Sequence, residues 1–201
     1  MRITKIVKIG RDDKFAVFVD DKLELTLKAE VILDAGLKPN QIISQDELDE
    51  IKNLDKNHKY MNLALSYVSK RLKTESETKN YLKRKGADQD IILKIVKRLK
   101  ELDLVNDDHY VKSYIHDHLN LSIYSKRKIM YELKKKQIAM DIIERSLNND
   151  QISDIKSLKK IIEQKRQQPK YKDDLKLMQY LVRVGFNYQD VKEVLKISEL
   201  D

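Results

Sequence analysis

Over the first 28 residues apolar and polar side chains fall into short β-rich runs, RITKIVKI, KFAVFV and KLELTL, and each of the two joints carries Asp-Asp-Lys. Such runs, separated by turn-forming aspartates, predict a three-stranded antiparallel meander. The stretch AEVILDAGLKPNQIISQDELDEIKN then predicts a short helix stopped at Gly36 and a turn at Pro39–Asn40. After it comes a helix capped near Ser44, with Glu47 at the capping-box spacing. A linker is expected at LDKNHK, ending this module near residue 58.

From Tyr60 onward the apolar period is helical, and it repeats. Leu82, Leu133 and Leu181 are separated by 51 and 48 residues, and the same offsets carry Thr74 to Ser125 to Asp173, all good N-cap residues. They also carry Gly86 to Gln137 to Gly185, where a helix stop is expected, and Ile92 to Ile143 to Val191 on the apolar stripe that follows. Each unit therefore reads as a leading helix, a short capped helix, a stop and a third helix. In the first unit Leu65, Val68 and Leu72 mark helix one, while Ile91, Ile92, Ile95, Val96 and Leu99 mark helix three. A lone trio of about 45 residues is marginal, so stacking in tandem is the expected solution. The predicted fold is mainly α: three tandem three-helix, helix-turn-helix-like repeats in an elongated, curved array behind a small β meander. The expected segments are 1–57, 58–106, 107–150 and 151–201.

Composition agrees with helices on a polar background, since 37% of residues are charged and Gly and Pro number only 4 and 2. Cysteine is absent, no apolar run approaches the roughly 18 residues of a spanning helix, and the N-terminus lacks a signal-peptide core. A soluble cytoplasmic protein is expected. The net charge of +8 is uneven: residues 1–57 hold 10 Lys and Arg against 12 Asp and Glu, whereas 58–136 hold 19 against 10. That concentration favours a polyanionic partner, although each run also reads as ordinary solvated surface. The cations expected to face a partner are Lys70, Arg71, Lys83, Arg84, Lys85, Lys97 and Arg98 in the first repeat. Arg127, Lys128, Lys134, Lys135 and Lys136 are their counterparts in the second.

Candidate chemistry is sparse. NDDHY, at 106–110, sets two carboxylates beside a histidine, but adjacent helical positions diverge, and Asp107 or Asp108 reads better as an N-cap. His116 and His118 likewise diverge, so no metal site is expected. No phosphate loop, HExxH, CxxC or serine elbow occurs, and neither an enzyme nor a cofactor is expected. The 10 tyrosines, interleaved with Lys and Arg, could stack on exposed bases or dock on a protein, but Tyr67, Tyr81, Tyr131 and Tyr180 follow the repeat and are expected to pack.

Three stretches resemble the RecX family of bacterial regulators of the RecA recombinase: ALSYVSKRLKTESETKNYLKRKG, LKELDLVNDDHYVKSYI and LVRVGFNYQDVKEVL. The resemblance covers about residues 60–197. It implies three tandem three-helix repeats and binding in the groove of the RecA filament on single-stranded DNA. By bridging protomers, the family limits ATP hydrolysis, strand exchange and coprotease activity in DNA repair and the SOS response. Gln137 departs from the family's usual glycine, and nothing functional carries over to residues 1–57. Weak direct DNA binding is expected, no membrane partner, and a monomer by default. Two other readings remain open: a direct nucleic-acid binder with helix-turn-helix-like modules, and a helical-repeat scaffold for another protein.

Overall fold

Three strands, β1 (Ile3–Ile9), β2 (Lys14–Val19) and β3 (Lys22–Lys28), form the expected antiparallel meander in the order β1-β2-β3. The computed structural model describes residues 1–10, 13–120, 124–149 and 154–196. Asp20 and Asp21, with φ of 48° and 63°, make the left-handed two-residue turn between β2 and β3, a conformation that aspartate tolerates better than most side chains. Ile3, Val17, Val19 and Leu27 from the sheet share a core with Val31, Leu37, Ile43, Leu48 and Ile51. Helix α1 (Ala29–Asp34) ends before Gly36, whose φ is +61°. Helix α2 (Gln45–Val68) opens on the expected capping box. There the Glu47 N–H donates to Ser44 Oγ at 3.1 Å, and the Ser44 N–H donates to the Glu47 carboxylate at 2.6 Å.

No linker interrupts this helix: α2 runs 24 residues straight through 54–59. Its first half buries Leu48 and Ile51, its second half Tyr60, Ala64 and Val68. At 100° per residue those two stripes lie roughly 170° apart, so a continuous helix has no continuous apolar face and imitates a break in sequence. Leu72 is a second correction. It lies beyond the end of α2 and is 46% exposed, while Tyr60 and Ala64 supply the buried face expected of Leu65 and Leu72.

The chain divides into two compact units, one comprising Met1–Lys70 with Tyr81–Leu99, the other Arg71–Asn80 with the chain from Lys100 onward. In the first, α3 (Glu75–Arg84) contributes buried Leu82, and α4 (Gln89–Glu101) buries Ile92, Ile95, Val96 and Leu99. The Tyr60 hydroxyl donates to the Gly86 carbonyl at 2.8 Å, and the rings of Tyr67 and Tyr81 stack at 4.0 Å. In the second unit, α5 (Asp107–Asn120), α6 (Lys126–Lys135) and α7 (Met140–Asn149) close over Val111, Ile115, Ile129, Leu133, Ile138, Ile143 and Leu147. There α8 (Asp154–Arg166), α9 (Asp174–Arg183) and α10 (Tyr188–Leu195), with a 3-10 turn at Pro169–Tyr171, close over Leu158, Ile161, Leu177, Leu181, Phe186 and Val191.

The sequence register is the structural register. Leu82, Leu133 and Leu181 are each fully buried. Thr74, Ser125 and Asp173 each accept a hydrogen bond from the backbone N–H three residues on, those of Glu77, Lys128 and Lys176. Gly86, Gln137 and Gly185 all have positive φ, at 86°, 59° and 98°. Each ends its helix with the same pair of bonds, the N–H after the stop reaching back to the buried leucine's carbonyl and the stop's own N–H to the next carbonyl. This is the Schellman pattern, and its accompanying apolar contact is supplied by buried Ala87, Ile138 and Phe186. Among the described residues, no helix is long and apolar enough to cross a membrane.

Candidate partner interface

The joint between the first capped helix and the second trio is polar and specific. The Glu75 N–H, the first of α3, donates at 2.8 Å to Asp107. Ser76 Oγ donates to the Gln137 side chain, and Lys136 Nζ pairs with Glu77 at 2.7 Å. Glu75 also holds Lys79 at 2.6 Å and Lys100 at 2.7 Å. Glu75, Ser76, Lys79, Lys100, Asp107 and Gln137 line a cleft of about 670 Å³ together with Asn80, Asp103, Val105, Asn106 and Ile142. The bond from Lys100, and then that from Lys79, hold Glu75 below the usual glutamate range. Burial works against Glu77, but the Lys136 bond and the Thr74 N–H outweigh it and leave its carboxyl lowered as well. Asp107 goes the other way: burial dominates and raises it.

Asn106, not an aspartate, is therefore the N-cap of α5, because its side chain accepts from the His109 N–H at 2.9 Å. One residue's shift frees Asp107 to cap α3 and Asp108 to pair with Arg145 at 2.9 Å. Sequence could not show this, since Asn, Asp and Asp are all acceptable caps. His116 and His118 diverge as expected. His116 is exposed beside Asp117, while His118 lies half-buried between the rings of Tyr114 and Tyr124, at 4.1 and 4.9 Å. The described residues contain no cluster of three or more metal-binding side chains.

Of the expected partner-facing cations, Lys70, Arg71, Lys83, Arg84, Lys85, Lys97 and Arg98 are exposed, as are Arg127, Lys134 and Lys135. Lys128 and Lys136 are half-buried and already paired, with Glu132 at 2.6 Å and Glu77 at 2.7 Å. Lys83 and Arg84 end α3 as Lys134 and Lys135 end α6, the helix end where cations are favoured by the backbone dipole. Lys97 and Arg98 have no basic counterpart 51 residues on, where Asn148 and Asn149 stand. Tyr67, Tyr81 and Tyr180 pack as expected, but Tyr131 does not: it is 52% exposed. The register explains the difference, because Leu133 matches Leu82 and so places Tyr131 opposite Asn80 rather than Tyr81.

The next joint repeats the design with fewer polar groups. The Ser125 N–H donates to the Val184 carbonyl at 3.4 Å, and a Cβ on Gly185 would come within 2.5 Å of Ser125 Oγ and 2.8 Å of Lys128 Cβ. Here the glycine is required by space as well as by φ.

Family models match two segments, that for the RecX first three-helix domain over residues 61–99 and that for its second over 106–147. The chain is similar to a regulatory protein RecX of Clostridium perfringens strain SM101, at 32% identity over 203 residues, 97% of this chain and 95% of the relative. A regulatory protein RecX of Caldanaerobacter subterraneus is 28% identical over 98% of this chain and its own full length. A crystal structure of regulatory protein RecX superposes with a TM-score of 0.72 at 24% identity, covering 98% of this chain and 99% of that one. The crystal structure of RecX from Lactobacillus salivarius gives 0.60 at 27% identity, covering 71% and 96%.

Proposed function

The chain belongs to the RecX family, and on that premise we propose that it binds the filament formed by RecA on single-stranded DNA and restrains it from within the groove. The observation that carries this reading is the recurrence of one helix-start, leucine and helix-stop register in three successive trios. A helical polymer offers the same site at regular intervals, and a protein with several related surfaces gains effective concentration by bridging them. The exposed cations ending α3 and α6 supply attraction to a polyanionic assembly, weakened by salt. Division into repeats at 58–106, 107–150 and 151–201 is part of this reading, as is action as a monomer in the cytoplasm during DNA repair and the SOS response.

Restraint by occupancy requires no chemistry of its own. A body lying in the groove excludes a second DNA or a protein substrate, hinders protomer addition and holds the ATP interfaces apart from their productive arrangement. The test is a titration of the purified protein into preformed RecA–DNA filaments, following ATPase rate and filament length together. Both should fall as the groove fills; an unchanged rate and length at saturating protein would end the proposal. Binding to naked DNA as tight as to the filament at physiological salt would favour a direct DNA binder instead.

A further inference from the structure

Tyr131 sits on the outward face of α6, 52% exposed, with no place in the core around Leu133. Its four nearest positions on the helix surface, three and four residues away in each direction, are Lys128, Arg127, Lys134 and Lys135. All are cationic. The Lys135 and Lys128 ammonium groups lie 4.5 and 5.3 Å from the ring centroid. The same surface position in the other trios is Asn80, with neighbours Ser76, Glu77, Lys83 and Arg84, and Gln179, with neighbours Leu175, Lys176, Val182 and Arg183. The ring of cations about an aromatic is thus peculiar to the second repeat.

The helix dipole accounts for Lys134 and Lys135, in the last turn of α6, but not for Arg127 and Lys128. Cations are favoured in the last turn of a helix and disfavoured in the first. The first turn of α6 contains Arg127 and Lys128 and has no acidic residue, whereas α3 opens with Glu75 and Glu77 and α9 with Asp174. Among the described residues, Lys128 alone of the four cations about Tyr131 forms an ion pair, with Glu132 at 2.6 Å. An exposed aromatic framed by unpaired positive charge matches one ligand chemistry closely: a strand whose bases are free to stack and whose phosphates follow alongside. A duplex hides its bases, and an acidic protein surface would engage the charges without calling for a flat partner on the ring.

We propose that the α6 face centred on Tyr131 is a binding surface for single-stranded nucleic acid, with a base stacked on the Tyr131 ring and phosphates held by Arg127, Lys134 and Lys135. It deepens the filament reading, on which it rests only for the source of the strand. The experiment is anisotropy of a labelled oligothymidylate of about 20 nucleotides, with the full chain and no RecA present. Tyr131→Ala should weaken binding by roughly five- to a hundredfold and leave the salt dependence unchanged, while Tyr131→Phe should stay within about twofold of the parent. Lys134→Gln and Lys135→Gln should each flatten the slope of log affinity against log salt by about 0.7. An abasic strand of the same length should be indifferent to Tyr131→Ala. Thermal melts of each variant separate lost folding from lost contact. Equal affinity of Tyr131→Ala and the parent for thymidylate would overturn the inference, and so would an equal loss on the abasic strand. If these variants weakened only the effect on RecA filaments, the patch would belong to a protein contact; the inference would fail and the filament reading would stand.

Discussion

Helices α3 and α6 occupy the same place in successive trios, begin on the same kind of cap and end on the same left-handed stop, yet they spend their remaining surface differently. The first turn of α3 is acidic and turned inward on its joint, with Glu75 and Glu77 paired to Lys100, Lys79 and Lys136. That of α6 is basic, and its outer face is exposed. Even a core position differs: Thr78 stands where Ile129 stands, both fully buried, and Thr78 Oγ1 is satisfied by the Thr74 carbonyl at 2.9 Å. A handful of positions therefore defines the repeat. The others are free to become joint, core filler or contact surface.

The largest test of that equivalence is the shared leucine. Leu82→Ala and Leu133→Ala should each lose about 2–5 kcal/mol in urea unfolding, and a loss below about 1 kcal/mol in either alone would break the comparison. Next come the stops. Gly185→Ala should cost about 2–4 kcal/mol, combining a disfavoured φ with overpacking against Ser125. Gly86→Ala should cost only about 1 kcal/mol, because its nearest neighbour, the Tyr60 hydroxyl, would lie 3.6 Å from the new Cβ.

Gln137→Gly sharpens the comparison further. Relief of a left-handed glutamine is worth about 0.5–1 kcal/mol, and the Ser76 bond contributes a similar amount, so the net change should lie within about 1 kcal/mol of zero. In a Ser76→Ala background the same change should stabilise by about 0.5–1 kcal/mol; thermal unfolding of the four proteins decides. The smallest effect is Asp107→Asn. Burial raises the Asp107 carboxyl, so its ionisation opposes folding once the pH rises above its ordinary value of 3.8 and through the raised one. The amide still accepts from Glu75, and Asp107→Asn should be neutral or stabilising by under about 1 kcal/mol at pH 7, with no gain near pH 3. Glu75 and Glu77 have the opposite sign. Their lowered carboxyls stabilise above their ordinary value of 4.5, and that contribution disappears as acid protonates them. A variant with Glu75→Gln should accordingly lose part of the acid sensitivity of unfolding.

What could be read from sequence was whatever is written in hydrogen-bonding chemistry at helix ends. Ser44 with Glu47, Thr74 with Glu77, and the glycines at 86 and 185 specify their geometry locally, so spacing alone located them. What could not be read depended on partners distant in sequence. The 54–59 stretch looked like a linker because α2 changes the face it buries midway. Asp107 reaches a helix that begins 32 residues earlier, a role invisible beside two equally good caps. Tyr131 was misplaced by an attractive likeness of letters that lay one residue out of register, about 100° around the helix. The basic residues were legible as charge; that Lys128 and Lys136 are half-buried and held by Glu132 and Glu77 was not.

Because Gln45–Val68 is one rod of 24 residues, about 36 Å long, the sheet module and the first trio are clamped to a common spine. Cutting the chain at residue 57 would not release a self-contained domain. It would sever a helix in mid-turn and strip Tyr60, Ala64 and Val68 of their N-terminal support. Amide protons of β2 and α4 should accordingly exchange in one cooperative opening, so that the small sheet acts as an anchor for the helices that follow it in the first unit rather than as a detachable ornament.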